Sequence, residues 1–231
     1  MVTTVYLIRH AQAEGNEKRL FQGHYNGAVS EMGWKQLEQL AEYGKKLPLD
    51  AVYSSPLDRA METAKAVNKY HNHPIRVRDG LIEINGGDWE GVPWERFPLD
   101  FPEENEAWEN QPWRFSAPNG ETMAEVYQRI VEAILEIVKE NPGKTVAVVS
   151  HGCAIRNFLT FAKGLPVEGI AQTGWCDNTA VSKIEFDEAL KPKLIYENDT
   201  SHLAEETKTF SRQKWWKQYE PKAESRTGSD R

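Results

Sequence analysis

The chain has 231 residues, 39% of them hydrophobic, which is enough for one domain with a packed core. A net charge of -7 and a sequence pI of about 5.5 argue against a nucleic-acid partner, which would require a basic surface. No stretch approaches the ~20 apolar residues of a membrane span, and the N-terminus lacks a secretory pattern, so we expect a cytoplasmic protein with no membrane partner.

The first third of the chain alternates between predicted strands and helices. Short apolar runs predict strands at residues 5–8, 50–54 and 75–77. Ser30 is a candidate N-cap for a helix whose apolar residues recur at helical spacing. Pro56 stands where a second helix can begin.

Residues 88–121 interrupt this alternation with a segment that is rich in aromatic residues and prolines. We predict a partly helical insertion that packs over another part of the molecule. Its aromatic residues are Trp89, Trp94, Phe97, Phe101, Trp108, Trp113 and Phe115.

The remaining chain returns to regular elements. A long amphipathic helix is predicted to begin at Met123 and to end near Asn141. A strand at residues 145–149, a helix at 154–163 and a pair of strands near 181–186 and 194–196 follow.

Strands separated by helices predict an α/β fold, with a mostly parallel central sheet, helices on both faces and an aromatic-rich inserted cap segment. We expect residues 1–210 to form a single domain and residues 211–231 to form a polar tail. Trp215 and Trp216 are predicted to anchor this tail to the domain, with a second subunit as the alternative anchor.

Three predicted strands end in residues that can bind and transfer an anion. Arg9 and His10 follow the first strand, Arg59 follows the second by one helical turn, and His151 ends the strand at residues 145–149. The carboxyl ends of parallel strands share one edge of a sheet, where ligands bind. Arginine forks match phosphate oxygens, and histidine can act as nucleophile or base near neutral pH. We therefore predict a phosphoryl-transfer site. The pattern around these residues contains no cluster of carboxylates that could hold a metal ion.

Four segments carry a resemblance to a known family. LIRHAQAEGN, YSSPLDRAMETA, LIEINGGDWEG and VVSHGCAIR resemble, in this order, the motifs of the histidine phosphatase superfamily, the phosphoglycerate mutase-like proteins. FQGHYN and NDTSHL are similar to segments of its phosphatase branch, so the resemblance covers residues 3 to about 203. It implies the phosphoglycerate mutase-like fold and a metal-independent phosphomonoester hydrolase that forms phosphohistidine on a small phosphorylated metabolite, without a cofactor.

The resemblance also implies roles for individual residues. His10 would attack phosphorus, and Glu83 would protonate the leaving oxygen and then activate water. The residues implied to bind substrate or phosphate are Arg9, His10, Asn16, Gln22, Gly23, Arg59, Glu83, His151 and Gly152.

The chain departs from the family pattern directly after the nucleophile. Ala11, Gln12 and Ala13 stand where glycine, glutamate and threonine are usual. The methyl group of Ala11 leaves the nucleophile functional if the backbone φ there is negative. The missing threonine removes a hydroxyl that could support the pocket.

Three other functions remain open. A phosphoglycerate mutase and a non-catalytic phosphate-binding module are compatible with the fold, although the presence of His10 and Glu83 argues against the second. A metallohydrolase would draw its ligands from His10, His24, His71, His73, His151 and His202. Cys153 and Cys176 have no metal-ligand spacing and are predicted to be free thiols. A homo-oligomer is possible.

The charges of the insertion suggest two interpretations. If its acidic face overhangs the pocket, it disfavours polyanions, and the tryptophans favour apolar or cationic groups. Alternatively, the acids form a solvated face over an aromatic core. The acids are Asp88, Glu90, Glu95, Asp100, Glu103, Glu104, Glu106 and Glu109, against Arg96 alone.

Overall fold

The computed structural model describes residues 1–210. The predicted polar tail, with Trp215 and Trp216, lies outside the described residues. Within them, one six-stranded sheet forms the centre of the fold. Its strands are β1 (Thr3–Arg9), β2 (Ala51–Ser54), β3 (Ile75–Val77), β4 (Thr145–Ser150), β5 (Val181–Phe186) and β6 (Pro192–Asp199).

The sheet has the order β3-β2-β4-β1-β5-β6. Strands β1 to β4 pair in parallel, whereas β5 pairs antiparallel with β1, and β6 antiparallel with β5. The predicted mostly parallel sheet is confirmed. In its register Arg9 lies opposite Ser150, and Ser54 lies opposite Val149, so three strand ends meet at one edge.

Helices cover both faces of the sheet. They are α1 (Glu14–Lys18), α2 (Glu31–Gly44), α3 (Asp58–Asn68), α4 (Phe97–Asp100), α5 (Pro102–Asn110), α6 (Met123–Glu140) and α7 (Gly152–Ala162). Val5 and Leu7 pack into one core with α6 and α7, while Tyr6 and Ile8 pack into another with α2 and α3. Side chains alternate along a strand, so both faces must be apolar, and this explains the continuous apolar run of β1.

Local capping explains where two helices begin. The Ser30 hydroxyl accepts a hydrogen bond from the Gly33 amide at 3.1 Å and caps α2, as predicted. Thr122 and Glu125 form a capping box at the start of α6. The helix predicted at Pro56 begins at Asp58, and the short helix α1 was not predicted.

The aromatic insertion packs on itself and over the sheet edge where the strands end. Trp89 is fully buried and stacks on Phe97 with ring centroids 3.9 Å apart. Phe21 contacts Trp108 edge-on at 5.8 Å, and Trp108 contacts Trp175 at the same separation. The cluster therefore joins the insertion to two other segments of the chain, as expected of a cap.

Cys153 and Cys176 are buried free thiols, as predicted. Burial raises the pKa of both thiols, that of Cys176 to about 12, so neither is a reactive thiolate.

Within residues 1–210, no helix combines the length and apolar character needed to cross a membrane.

Candidate active site

The parallel register brings the predicted nucleophile and the second histidine together. The amide of His10 donates to the Ser150 carbonyl at 3.0 Å, which ties the end of β1 to the end of β4. The rings of His10 and His151 lie 5.1 Å apart between centroids, and both residues are buried. Two histidines separated by about 140 residues in sequence thus occupy one site because their strands are neighbours.

The ring of His10 is held as a neutral tautomer. Its Nδ1 lies 2.7 Å from the Ala11 carbonyl oxygen, which can only accept, so Nδ1 carries the proton. Burial lowers the pKa of His10 well below 6.5, and the nearby charges of Arg59 and Arg9 lower it further. The Nε2 lone pair is therefore available at neutral pH.

Two buried arginines supply positive charge around His10. Arg9 donates from one terminal nitrogen to the Cys176 carbonyl at 2.5 Å, and its Nε has no partner among residues 1–210. Arg59 is fully buried, and its Nε is also unpartnered within this part of the chain. Burial lowers the pKa of both guanidiniums, that of Arg59 to about 10, yet both remain charged at neutral pH. Buried donors without partners require an acceptor, and an anion provides one.

His151 has one nitrogen engaged and one unengaged. Its Nε2 lies 2.7 Å from the Ser55 hydroxyl, and its Nδ1 is buried without a partner in the described chain. Burial and the charge of Arg59 lower the pKa of His151 well below 6.5. The ring is therefore neutral.

The Glu83 carboxylate is fixed at the start of α7. Its Oε1 accepts from the amides of Ile84 and Ala154, and its Oε2 from the amide of Cys153, each at 3.0 Å. Arg129 donates to the backbone carbonyl of Glu83 at 2.8 Å and so fixes the segment that carries it. The first helical turn of α7 provides two of these donors, as expected for an anion at a helix N-terminus.

The loop of residues 22–25 is held between opposite charges. Glu90 accepts hydrogen bonds from the amides of Gly23, His24 and Tyr25. Arg59 donates to the carbonyls of Gly23 and Tyr25 at 2.8 and 2.7 Å, and more weakly to that of Gln22. A Cβ atom at Gly23 would lie 2.1 Å from a backbone carbonyl oxygen, so only glycine fits there.

A pocket enclosing about 550 Å³, part of it open to solvent, lies over these groups. Six of the predicted site residues line it: Arg9, His10, Asn16, Gln22, Glu83 and Gly152. Arg59, His151 and Gly23 are not among the residues that line it, although His151 contacts His10 and Arg59 donates to the carbonyl of Gly23, the residue after Gln22. The amide of Gln22 is buried with neither its nitrogen nor its oxygen paired in the described chain.

The departure from the family pattern after His10 is accommodated. Ala11 is not among the described residues with positive φ, so its methyl group causes no backbone strain. The Ala11 amide donates to the Thr63 hydroxyl at 2.9 Å. A threonine on α3 therefore supports the residue after His10, close to the segment from which the family's usual threonine is missing.

Sequence reasoning missed several residues at the site. Ser55 bonds to His151, and the Asn178 side chain donates to the His10 carbonyl at 3.0 Å. Trp175 and Arg19 line the pocket. The position of Ser55 after a strand was a usable signal, whereas the other three lie in segments without a recognisable pattern.

The acids of the insertion do not face the pocket. None of the eight lines it, so the interpretation as a solvated acidic face is the one that fits. Glu90 binds backbone amides, and Asp88 accepts from Asn119. Within residues 1–210, no three His, Cys, Asp or Glu side chains are grouped so that they could hold a metal ion. The metallohydrolase alternative thus finds no ligand set there.

Comparison with known proteins identifies the family. The model of the histidine phosphatase superfamily (branch 1) matches residues 5–200. The chain belongs to this superfamily. Phosphoserine phosphatase 1 of Hydrogenobacter thermophilus is 33% identical over 86% of the chain and 93% of that protein.

Solved structures of other proteins have the same fold. YhfR of Bacillus stearothermophilus superposes with a TM-score of 0.82 at 30% identity, over 87% of this chain and 98% of that one. A mutant phosphoserine phosphatase of Entamoeba histolytica, in complex with phosphoserine, has a TM-score of 0.77 at 26% identity, over 87% and 100% of the two chains. The predicted phosphoglycerate mutase-like fold is confirmed.

Proposed function

We propose that the chain is a phosphatase that hydrolyses small phosphomonoesters through a phosphohistidine at His10, without a metal ion. One observation carries the proposal: Arg9, Arg59 and His151 each hold a buried nitrogen with no partner among residues 1–210, around a neutral His10. Several relatives are named phosphatases, including the two phosphoserine phosphatases. The free thiols favour action in the reducing cytoplasm.

The phosphoryl group is the anion that these donors fit. Arg9 and Arg59 neutralise the charge on its oxygens, which builds up as the group is transferred. Ser55 donates to Nε2 of His151, so that His151 presents an Nδ1–H to another oxygen. Asn16, Gln22, Gly23 and Gly152 complete the substrate-binding set that the family resemblance implies.

In the first step, the Nε2 lone pair of His10 attacks phosphorus as the bond to the ester oxygen breaks. Donation from Nδ1 to the Ala11 carbonyl stabilises the positive charge that develops on the ring. The leaving oxygen takes a proton from Glu83, whose Oε2 accepts a single amide bond and so keeps a lone pair that can carry one.

In the second step, water attacks the phosphohistidine. The Glu83 carboxylate, now ionised, removes a proton from the water as the new P–O bond forms and the P–N bond breaks. His10 returns to its neutral tautomer and inorganic phosphate leaves. General acid–base catalysis of this kind contributes ~100- to 10,000-fold.

The test is hydrolysis of p-nitrophenyl phosphate in excess EDTA by the wild type, His10→Ala and Glu83→Gln. We expect chelator-resistant activity that His10→Ala abolishes. Mass spectrometry of a neutral-quenched reaction should show one phosphoryl group on the wild type and none on His10→Ala. His73→Gln is the matched control, because its ring binds the Leu49 carbonyl away from the pocket and should not affect either readout.

Three outcomes would contradict the proposal. Activity that EDTA removes would indicate a metallohydrolase, and full activity in His10→Ala would exclude this nucleophile. Inactivity of the wild type toward a broad phosphomonoester panel would favour a phosphoglycerate mutase or a binding module. Isomerisation of phosphoglycerate with a bisphosphate primer separates those two.

A further inference from the structure

Glu83 lies on a segment without regular secondary structure. Residues 82–86 connect two single turns of 3₁₀-helix, Asp79–Leu81 and Gly87–Trp89, and belong to no helix or strand. The backbone carbonyls of such a segment have no partners in a helix or sheet, so other groups must donate to them where they are buried. The position of the Glu83 carboxyl therefore depends on the donors that hold this backbone.

A single arginine on α6 provides several of these donors. One terminal nitrogen of Arg129 donates to the carbonyls of Gly80 and Ile82 at 3.2 and 2.6 Å. The other terminal nitrogen donates to the Glu83 carbonyl at 2.8 Å. The remaining two N–H groups donate to the Glu121 carboxylate at 2.7 and 2.9 Å. The five N–H groups of the guanidinium thus meet five acceptors, which a lysine ammonium with three donors cannot reproduce.

Glu121 extends this hold to the other side of Glu83. Its Oε2 also accepts from the Asn85 amide at 2.7 Å, and its own amide donates to the Asn85 carbonyl at 2.9 Å. Burial raises the pKa of Glu121, but hydrogen bonds from Arg129 and the Asn85 amide outweigh burial, so the pKa is lowered and the carboxylate is charged near neutral pH. The side chains of Arg129 and Glu121 are 21% and 22% exposed, so solvent screens their ion pair less than it would at the surface.

We propose that Arg129, together with Glu121, is a positioning residue that sets the place of the Glu83 carboxyl in both steps of catalysis. The inference rests on the proposed function, in which Glu83 gives a proton to the leaving oxygen and then takes one from water. Arg129 does not line the pocket and donates to the backbone of Glu83, so its effect on the reaction passes through Glu83. A misplacement of about 1 Å at a reacting group can cost about 100-fold in rate.

The two steps predict a selective defect. An alkyl phosphate has a poor leaving oxygen and needs the proton from Glu83 in the first step, whereas p-nitrophenolate leaves without it. The second step needs Glu83 as a base for every substrate. Loss of the Glu83 position should therefore lower kcat/KM on an alkyl phosphate more than on p-nitrophenyl phosphate. It should also leave more of the enzyme as phosphohistidine during turnover of p-nitrophenyl phosphate.

Arg129→Gln tests the inference, with p-nitrophenyl phosphate and glycerol 2-phosphate as the two substrates. The ratio of their kcat/KM values, aryl over alkyl, should rise about 10- to 100-fold above that of the wild type. Mass spectrometry of the neutral-quenched steady state with p-nitrophenyl phosphate should show a larger phosphorylated fraction. A loss of folded enzyme lowers both rates equally and cancels in the ratio. Arg129→Lys keeps the charge with fewer donors, so its ratio should rise less.

A double variant shows whether the effect passes through Glu83. Glu83→Gln removes the acid and base, so it should raise the ratio by itself. In this background Arg129→Gln should leave the ratio unchanged, because the group that it positions is already absent.

Arg78→Gln is the matched control. Arg78 also pairs with a glutamate of α6, donating to the two oxygens of Glu140 at 2.9 and 2.8 Å, but its other bond is to the Val77 carbonyl and not to the segment of Glu83. Its ratio and its phosphorylated fraction should equal those of the wild type.

The outcomes separate the inference from the proposed function. A wild-type ratio in Arg129→Gln, or an equal rise with and without Glu83, would overturn the inference. The proposed function would still stand if the wild type forms phosphohistidine and Glu83→Gln raises the ratio. A wild type that forms no phosphohistidine, or a wild-type ratio in Glu83→Gln, would overturn both.

Discussion

His202 contacts Thr179, whose amide donates to the carbonyls of Arg9 and His10, in a setting that disfavours the charged form of His202. Its Nε2 lies 3.3 Å from the Thr179 hydroxyl, which itself donates to the Asn178 carbonyl, so Nε2–H is the donor in this contact. Its Nδ1 is buried without a partner in residues 1–210. Burial lowers the pKa of His202 to about 4, although the charges of Asp199 and Asp177 act in the opposite direction. Protonation at Nδ1 would place a donor where no acceptor lies.

This lowered pKa makes a defined contribution to the pH dependence of stability. An unfolded histidine binds its proton near pH 6.5, but folded His202 does so only near pH 4. The contribution is therefore fully present above pH 6.5 and is lost as the pH falls toward 4. At about 1.4 kcal/mol per pH unit, His202 alone should remove roughly 2–3 kcal/mol of the free energy of unfolding between pH 7.5 and 4.5.

Urea unfolding at these two pH values, followed by tryptophan fluorescence, measures the effect in the wild type and in His202→Gln. The variant cannot take up this proton, so its loss of stability on acidification should be smaller by roughly 2–3 kcal/mol. Any structural cost of the substitution is present at both pH values and cancels in the difference. Equal losses in the two proteins would refute the reasoning.

Three further predictions concern the residues around His10. Gly23→Ala should lower both stability and kcat, because its Cβ would lie 2.1 Å from a backbone carbonyl oxygen. Gly174→Ala is the control, since a Cβ there has no atom within 4 Å and should leave both quantities unchanged. Equal effects of the two substitutions would contradict the packing argument. Thr209→Val removes a 2.6 Å hydrogen bond to the buried Asp177 carboxylate and should cost about 1.5–3 kcal/mol in urea unfolding. A cost within error of zero would show that this bond contributes nothing. The pKa of His10 is lowered, so its NMR signal should not titrate between pH 8 and 6, and a midpoint near 6.5 would contradict the assigned neutral ring.

Much of the architecture could be predicted from local patterns. The continuous apolar run of β1 indicated burial on both faces, and the Ser30 cap and the periodicity of α6 located two helices. Helix α1 was missed because five residues are too few to establish a helical period. Its boundaries depend on contacts with distant segments, such as the hydrogen bond between the Glu14 amide and the Ala28 carbonyl.

The candidate chemistry was also visible in the sequence, because functional side chains follow strand ends in a parallel sheet. His10, Arg59 and His151 could be named for this reason, and the family motifs added Glu83. The contacts that these side chains make could not be predicted from the sequence in the same way. That Glu83 binds the first turn of α7 depends on packing between segments about 70 residues apart.

The sequence by itself determined the order of strands and helices, the residue types at the strand ends and the family. Only the tertiary structure decided which charged residues line the pocket. The sequence left open whether the acids of the insertion face the pocket, and in the structure none of them lines it. Local patterns report burial and periodicity, whereas the direction of a charged side chain is set by contacts between segments that are distant in the chain.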